Sequence, residues 1–284
     1  MAITPQKILL ATDLSVRSDR AQDRAVSLLK QYNSELVVLH VLESMNEIRH
    51  VPFSRFQKHK EKRIDKIKWE LLDYLIDVKS HVTLRVEEGI PHDIILKVAK
   101  EENCDLIVSG VARSEILGRF TLGKTVNQLM RKSDLPMLVV TDRVRAHYKK
   151  IVVVVDSSEI SKRAIKLATD YFPRQVLTLL KTFTTYGASL VDSASYKENM
   201  REVAYDDLME FLDSVDLTTD QRKLINVLIE HGSVKYNIRY LLQLSDVELV
   251  VVGSPKYSFF FDAFFDSEAK GIIATLTCDV LIVR

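Results

Sequence analysis

The chain has 284 residues, of which 46% are hydrophobic and 28% charged. That length suggests two domains and enough core to fold without disulfides or metals. A formal net charge of +1 supplies no global field for nucleic acid or anionic lipid. Cys104 and Cys278 lie far apart in sequence and read as buried thiols in a reducing compartment.

The segment MAITPQKILLATDLS is too short and too polar for a signal-peptide core. No run approaches the roughly 18 apolar residues of a membrane span. The expectation is a cytoplasmic chain that binds neither nucleic acid nor membrane.

In chain order, ILLAT, ELVVLHVL, HVTLRVE, DLIVSG and MLVVT are short and rich in branched residues. They read as strands, several of them buried on both faces. Amphipathic stretches lie between them. Ala21, Ala25, Leu28 and Leu29 make one stripe; Ile64, Ile67, Leu71, Leu72, Leu75 and Ile76 make another; Ile94, Ile95, Val98 and Ala99 make a third. Spacings of three and four put each stripe on one helix face. Ser15 or Ser18 suits the first helix cap, and Gly89 with Pro91 marks the turn into the third helix.

The pattern then repeats. KILLATDLS returns as KIVVVVDSS, and DLIVSG as ELVVVG. Asp13 and Asp156, Gly89 and Gly232, Gly110 and Gly253, and Val140 and Val283 are all 143 residues apart. One offset at four anchors indicates two copies of one domain, 1–142 and 150–284, joined by a linker at 143–149. Strand–helix alternation implies right-handed crossovers. The predicted fold class is α/β: two tandem doubly wound, Rossmann-like domains, each with a mainly parallel five-stranded sheet. Ligands of such sheets sit beyond the carboxyl ends of the strands.

GRFTLGKT, Gly118 to Thr125, fits the phosphate-loop pattern G-x-x-x-x-G-K-[ST]. A phosphate loop needs a buried strand running into its first glycine. Here DLIVSG ends near Gly110, and seven residues intervene before Gly118. The repeat-related window, FDAFFDSE, has neither glycine nor lysine. A different spacing fits better: Gly110 leaves the fourth strand, and Gly123 opens the helix TVNQLMRK thirteen residues later.

At these residues the chain resembles the universal stress protein family, over nearly its whole length and as a tandem pair. The nucleotide-binding branch of that family carries G-x2-G-x9-G-[ST] after its fourth strand and an aspartate at the end of its first. Asp13, Gly110 and Gly123 keep three of these features, while Arg113 and Lys124 depart from the motif.

The resemblance implies a stress-response sensor or regulatory protein that binds ATP or AMP in its first domain, with Mg2+ if the ligand is ATP. The implied contacts are Thr12, Asp13, Val41, Gly110, Arg113, Gly123, Lys124 and Thr125. Arg113 either fills the phosphate pocket or pairs with the phosphates, and sequence leaves both open. The second copy is a degenerate site at Asp156, Gly253, Lys256 and Ser267, with Asp266 placed to repel phosphate. The resemblance also implies pairing of the two copies through terminal strands 136–141 and 279–284, and a homodimer of whole chains is a further expectation.

Two alternatives stand beside this reading. The Phe-rich segment 257–267 suits an interaction scaffold or an apolar-ligand binder without nucleotide. A slow ATPase is the third reading. No catalytic constellation assembles, and Ser157 and Ser158 lack G-x-S-x-G surroundings. Glu61, Asp65 and Glu70 interrupt the basic segment 55–72, which reads as a solvated helix face. His50 and His59 lack the spacing of helix metal ligands, so no metal site is expected.

Overall fold

The computed structural model describes residues 4–15, 18–42, 62, 64–69, 71, 75–111, 123–185, 194–253 and 278–284. The first half runs β1 (Lys7–Thr12), α1 (Asp19–Tyr32), β2 (Glu35–Leu42), a helical stretch at 64–69 and a 3-10 helix, Ile76–His81. It continues through β3 (Val82–Glu88), α2 (Pro91–Glu101), β4 (Leu106–Gly110), α3 (Lys124–Lys132) and β5 (Met137–Val140). The second half runs β6 (Ile151–Val155), α4 (Glu159–Tyr171), β7 (Leu177–Phe183), α5 (Ala194–Asp213) and α6 (Thr219–Lys223). It ends with β8 (Ile225–His231), α7 (Val234–Leu244), β9 (Leu249–Gly253) and β10 (Asp279–Val283).

All ten strands form one sheet, in the order β3-β2-β1-β4-β5-β10-β9-β6-β7-β8. Within each half every pairing is parallel. The halves meet where β5 and β10 pair antiparallel, the pairing expected of segments 136–141 and 279–284. Leu281 lies opposite Leu138, Val280 opposite Val139 and Ile282 opposite Met137. Leu138 and Leu281 are each other's counterparts at the repeat offset, so a local two-fold axis passes through that pair.

Central strands bury both faces because helices cover both sides of a parallel sheet. Ile8 and Leu10 enter one core cluster while Leu9 enters the other, as the two-residue strand period requires. Each such side chain, fully buried, contributes about 1.5–3 kcal/mol of transfer free energy. Helix α1 buries Ala21, Ala25, Leu28 and Leu29, and Asn33 closes it in the left-handed conformation. Pro91 begins α2, and Gly89 precedes it with φ of +149°, a value that glycine adopts without penalty.

The stripe from Ile64 to Ile76 is only partly one helix. Ile67, Leu71 and Leu75 are buried, yet the chain turns at Leu75 and tightens into the 3-10 helix from Ile76. Among the described residues no helix is long and apolar enough to cross a membrane.

Candidate nucleotide cleft

In both halves the strand order reverses at the central strand, beside β1 and β6, and β4 and β9 continue the sheet on the other side. The carboxyl ends of β1, β2 and β4 therefore diverge around a crevice. A cavity of about 320 Å3 occupies it in the first half. Thr12 at the end of β1 and Asp13 just after it, Val41 from β2, Gly110 from β4, and Gly123 and Thr125 at the N-cap and first turn of α3 all line it. Six of the eight residues singled out in the first half are thus brought together. Lys124 is exposed and is not among the lining residues, and Arg113 lies outside the described residues.

The β1 tip is built by local hydrogen bonds. Asp13 Oδ1 accepts from the Ser15 backbone N–H at 3.0 Å and from Ser15 Oγ at 2.6 Å. This closes a turn in which Leu14 takes φ of +60°. Thr12 Oγ1 donates to Ser18 Oγ at 2.9 Å and accepts from the Leu14 N–H at 3.0 Å. Buried His40 donates from Nδ1 to the Thr12 carbonyl at 3.0 Å, which places its proton on that nitrogen. Asp13 itself remains exposed and lines the cleft.

On the opposite wall, Gly123 is the N-cap of α3 and supplies no capping side chain. The first-turn N–H groups of a helix have no intrahelical partners and carry the positive end of its dipole. Those of Lys124, Thr125 and Val126 therefore suit an anion, and the Thr125 hydroxyl stands beside them. The chemistry of this wall fits a phosphate. Ser18, Ser109, Pro91 and Ile95 also line the cleft. Sequence reasoning missed them as lining residues. Ser18 appeared only as a capping candidate, and it is the N-cap, but its hydroxyl bonds Thr12 and the Ser15 carbonyl instead of the helix.

The second half repeats the tip with a different set of hydrogen bonds. Asp156 Oδ1 accepts from the Ser158 N–H and from both the Ser158 and Ser161 hydroxyls, the last at 2.6 Å. Ser157 takes φ of +61°, matching Leu14. Burial favours the neutral acid, but these hydrogen bonds outweigh it and hold Asp156 below the ordinary carboxylate value. Lys181 takes the place of His40 and donates to Ser157 Oγ at 3.2 Å. At Gly253 an added Cβ would meet Ile160 Cγ2 at 2.8 Å and the Ile160 carbonyl oxygen at 3.0 Å. The N-terminal turn of α4 thus sits directly on the end of β9. Lys256, Ser267 and the segment 257–267 lie outside the described residues. No cluster of metal-ligating side chains occurs among the described residues.

Comparison with known proteins agrees with this architecture. The family model described as "Universal stress protein family" matches twice, over residues 4–141 and 147–284. A universal stress protein of Staphylococcus aureus (strain USA300) is 30% identical over 168 residues, spanning 55% of this chain and 97% of the relative. The crystal structure of a universal stress protein from Archaeoglobus fulgidus covers 98% of both chains with a TM-score of 0.69 at 16% identity. Another, from Pseudomonas aeruginosa UCBPP-PA14, covers 98% of this chain and 93% of its own, with a TM-score of 0.67 at 17% identity. The fold is a tandem pair of Rossmann-like α/β units. The chain belongs to the universal stress protein family.

Proposed function

We propose that the first half binds an adenine nucleotide, ATP or AMP, and that the chain acts as a nucleotide-responsive regulatory protein with a second half that holds none. The observation that carries this reading is the cleft in which Asp13 and Gly123 line one cavity from opposite walls. The base lies between the β1 and β2 tips, bracketed by Val41, with Asp13 at its polar edge. The phosphates lie against the first turn of α3, where backbone N–H groups and the Thr125 hydroxyl receive them. With ATP, Mg2+ accompanies the phosphates. The cavity falls at the small end of the range for ligand pockets, which suits a mononucleotide.

In the second half, Asp266 stands at the repeat offset from Gly123, and an acidic residue there supports an inactive role. The reading is tested by calorimetric titration of ATP and AMP into the full chain. One molecule per chain is expected, with binding lost in Gly123→Val. No heat from either nucleotide, or two molecules per chain, overturns it. Phosphate release measured in the same samples separates binding from slow hydrolysis.

A further inference from the structure

The repeat sets two helices in the same place, α2 in the first half and α7 in the second, 143 residues apart at both ends. One packs on β2 and the other on β7. Their outward faces differ. On α2, Asp93, Lys97 and Glu101 are charged and matched close by: Asp93 pairs with Lys132 at 2.9 Å, and Lys97 with Glu101 at 3.6 Å. The positions at the repeat offset on α7 are Tyr236, Tyr240 and Leu244.

These three are 64%, 50% and 66% exposed. A spacing of four places them in one stripe along the helix. The Tyr236 and Tyr240 rings stack nearly parallel, their planes 8° apart and their centroids separated by 6.3 Å. Other residues hold α7 to the sheet: Ile238 is buried, and Val234, Leu241 and Leu242 pack against the core. The fold does not require an apolar outer stripe, because α2 holds the same place with charges.

Charge along α7 is ordered. Lys235 and Arg239 make no ion pair among the described residues, and the helix contains no acidic residue. Just past its end, the Asp246 side chain is fully exposed, and its pair with Lys150 at 3.6 Å is a surface contact of little worth. A face that is basic toward its start, apolar along its length and acidic past its end complements itself when reversed.

We propose that α7 is the docking face for a second copy of this chain, the two helices running antiparallel about a two-fold axis between Tyr240 and Leu244. Tyr240 of each copy then meets Leu244 of the other, with Tyr236 stacked outside it. Arg239 and Asp246 lie nearly equal distances along the chain on either side of that axis, so each Arg239 approaches the other copy's Asp246. An isologous contact needs this self-complementarity, whereas a partner of one charge sign would match only one end. Tyrosine and arginine are also the side chains enriched among those that carry protein interfaces. Three large side chains per copy make a small contact, so association depends on concentration. The proposal is independent of the nucleotide reading.

The test is sedimentation velocity on the full chain from about 5 to 500 µM, the range in which small interfaces associate. A monomer is expected at the low end and a growing dimer at the high end. Tyr240→Glu should remove the dimer while circular dichroism stays unchanged. Arg239→Glu should weaken it about tenfold, because the symmetry counts each exposed charge pair twice. Adding Asp246→Arg to Arg239→Glu should restore it. If Tyr240→Glu does not fold, the two charge reversals decide. A chain that stays monomeric throughout overturns the proposal and leaves the stripe to a different protein. A dimer that persists in Tyr240→Glu, or that the paired reversal fails to restore, overturns it as well, since the contact then lies elsewhere or runs the other way.

Discussion

Arg24 Nε donates to Asp279 Oδ2 at 3.2 Å across the seam, joining side chains that are 6% and 0% exposed. Taking both charges out of water is costly, and the four hydrogen bonds reaching Asp279 offset only part of that cost, so burial still holds its carboxyl above the ordinary carboxylate value. Burial and the neighbouring carboxylate push the Tyr148 phenol well up, so it stays protonated and donates. Arg24→Ala leaves Asp279 buried and unpaired, with an expected loss of about 3–5 kcal/mol in urea denaturation. Arg24→Met combined with Asp279→Leu should lose much less than the sum of the two single variants, because no orphan charge remains.

Both thiols should be silent in the native state. Burial raises Cys104 to about 12 and pushes Cys278 higher still. A raised value keeps each thiol protonated at neutral pH, and the thiolate is the reactive form. Ellman's reagent at neutral pH should find no reactive group in the folded chain and two after denaturation. Rapid native labelling of either would contradict their placement.

Gly253 ends β9 against the first turn of α4. Gly253→Ala forces its Cβ against the Ile160 carbonyl, which belongs to the backbone and cannot rotate away. The expected loss is about 1–3 kcal/mol, read by thermal or urea unfolding. Truncating Ile160 to Ala should recover only part of it.

Asp156 carries an acid-side dependence. Its folded value is depressed, so its contribution is complete above the ordinary carboxylate range and is lost as pH falls through the lowered value. Asp156→Ala should cost about 1 kcal/mol near neutrality, allowing for solvent screening at this exposed tip. It should also flatten the fall in stability toward acid pH.

Lys124 and Gly123 are neighbours with opposite expectations. Lys124 is exposed and lies outside the cleft lining, whereas Gly123 lines it. Lys124→Ala should therefore change nucleotide affinity only a few-fold at low salt and less at high salt. Gly123→Val should remove binding. Equal effects would assign the lysine a direct phosphate contact.

The architecture was legible because period and repetition are one-dimensional. Ile8, Leu9 and Leu10 announce a strand buried on both faces, and an offset of 143 residues ties Asp13 to Asp156 and Gly110 to Gly253. What escaped depends on side chains that meet only in space. Nothing local marks Ile160 as the residue that sits on Gly253, or Ser18 as the partner of Thr12. The helix stripe through Leu75 misled for a related reason: apolar spacing continued past the point where the backbone tightened into a 3-10 turn.

Antiparallel pairing of β5 with β10 points the carboxyl ends of the two parallel sets in opposite directions. A body docked at the tip near Asp13 is therefore on the far edge of the molecule from one docked at the tip near Asp156. Whatever the two tips hold, the chain presents them to different surroundings.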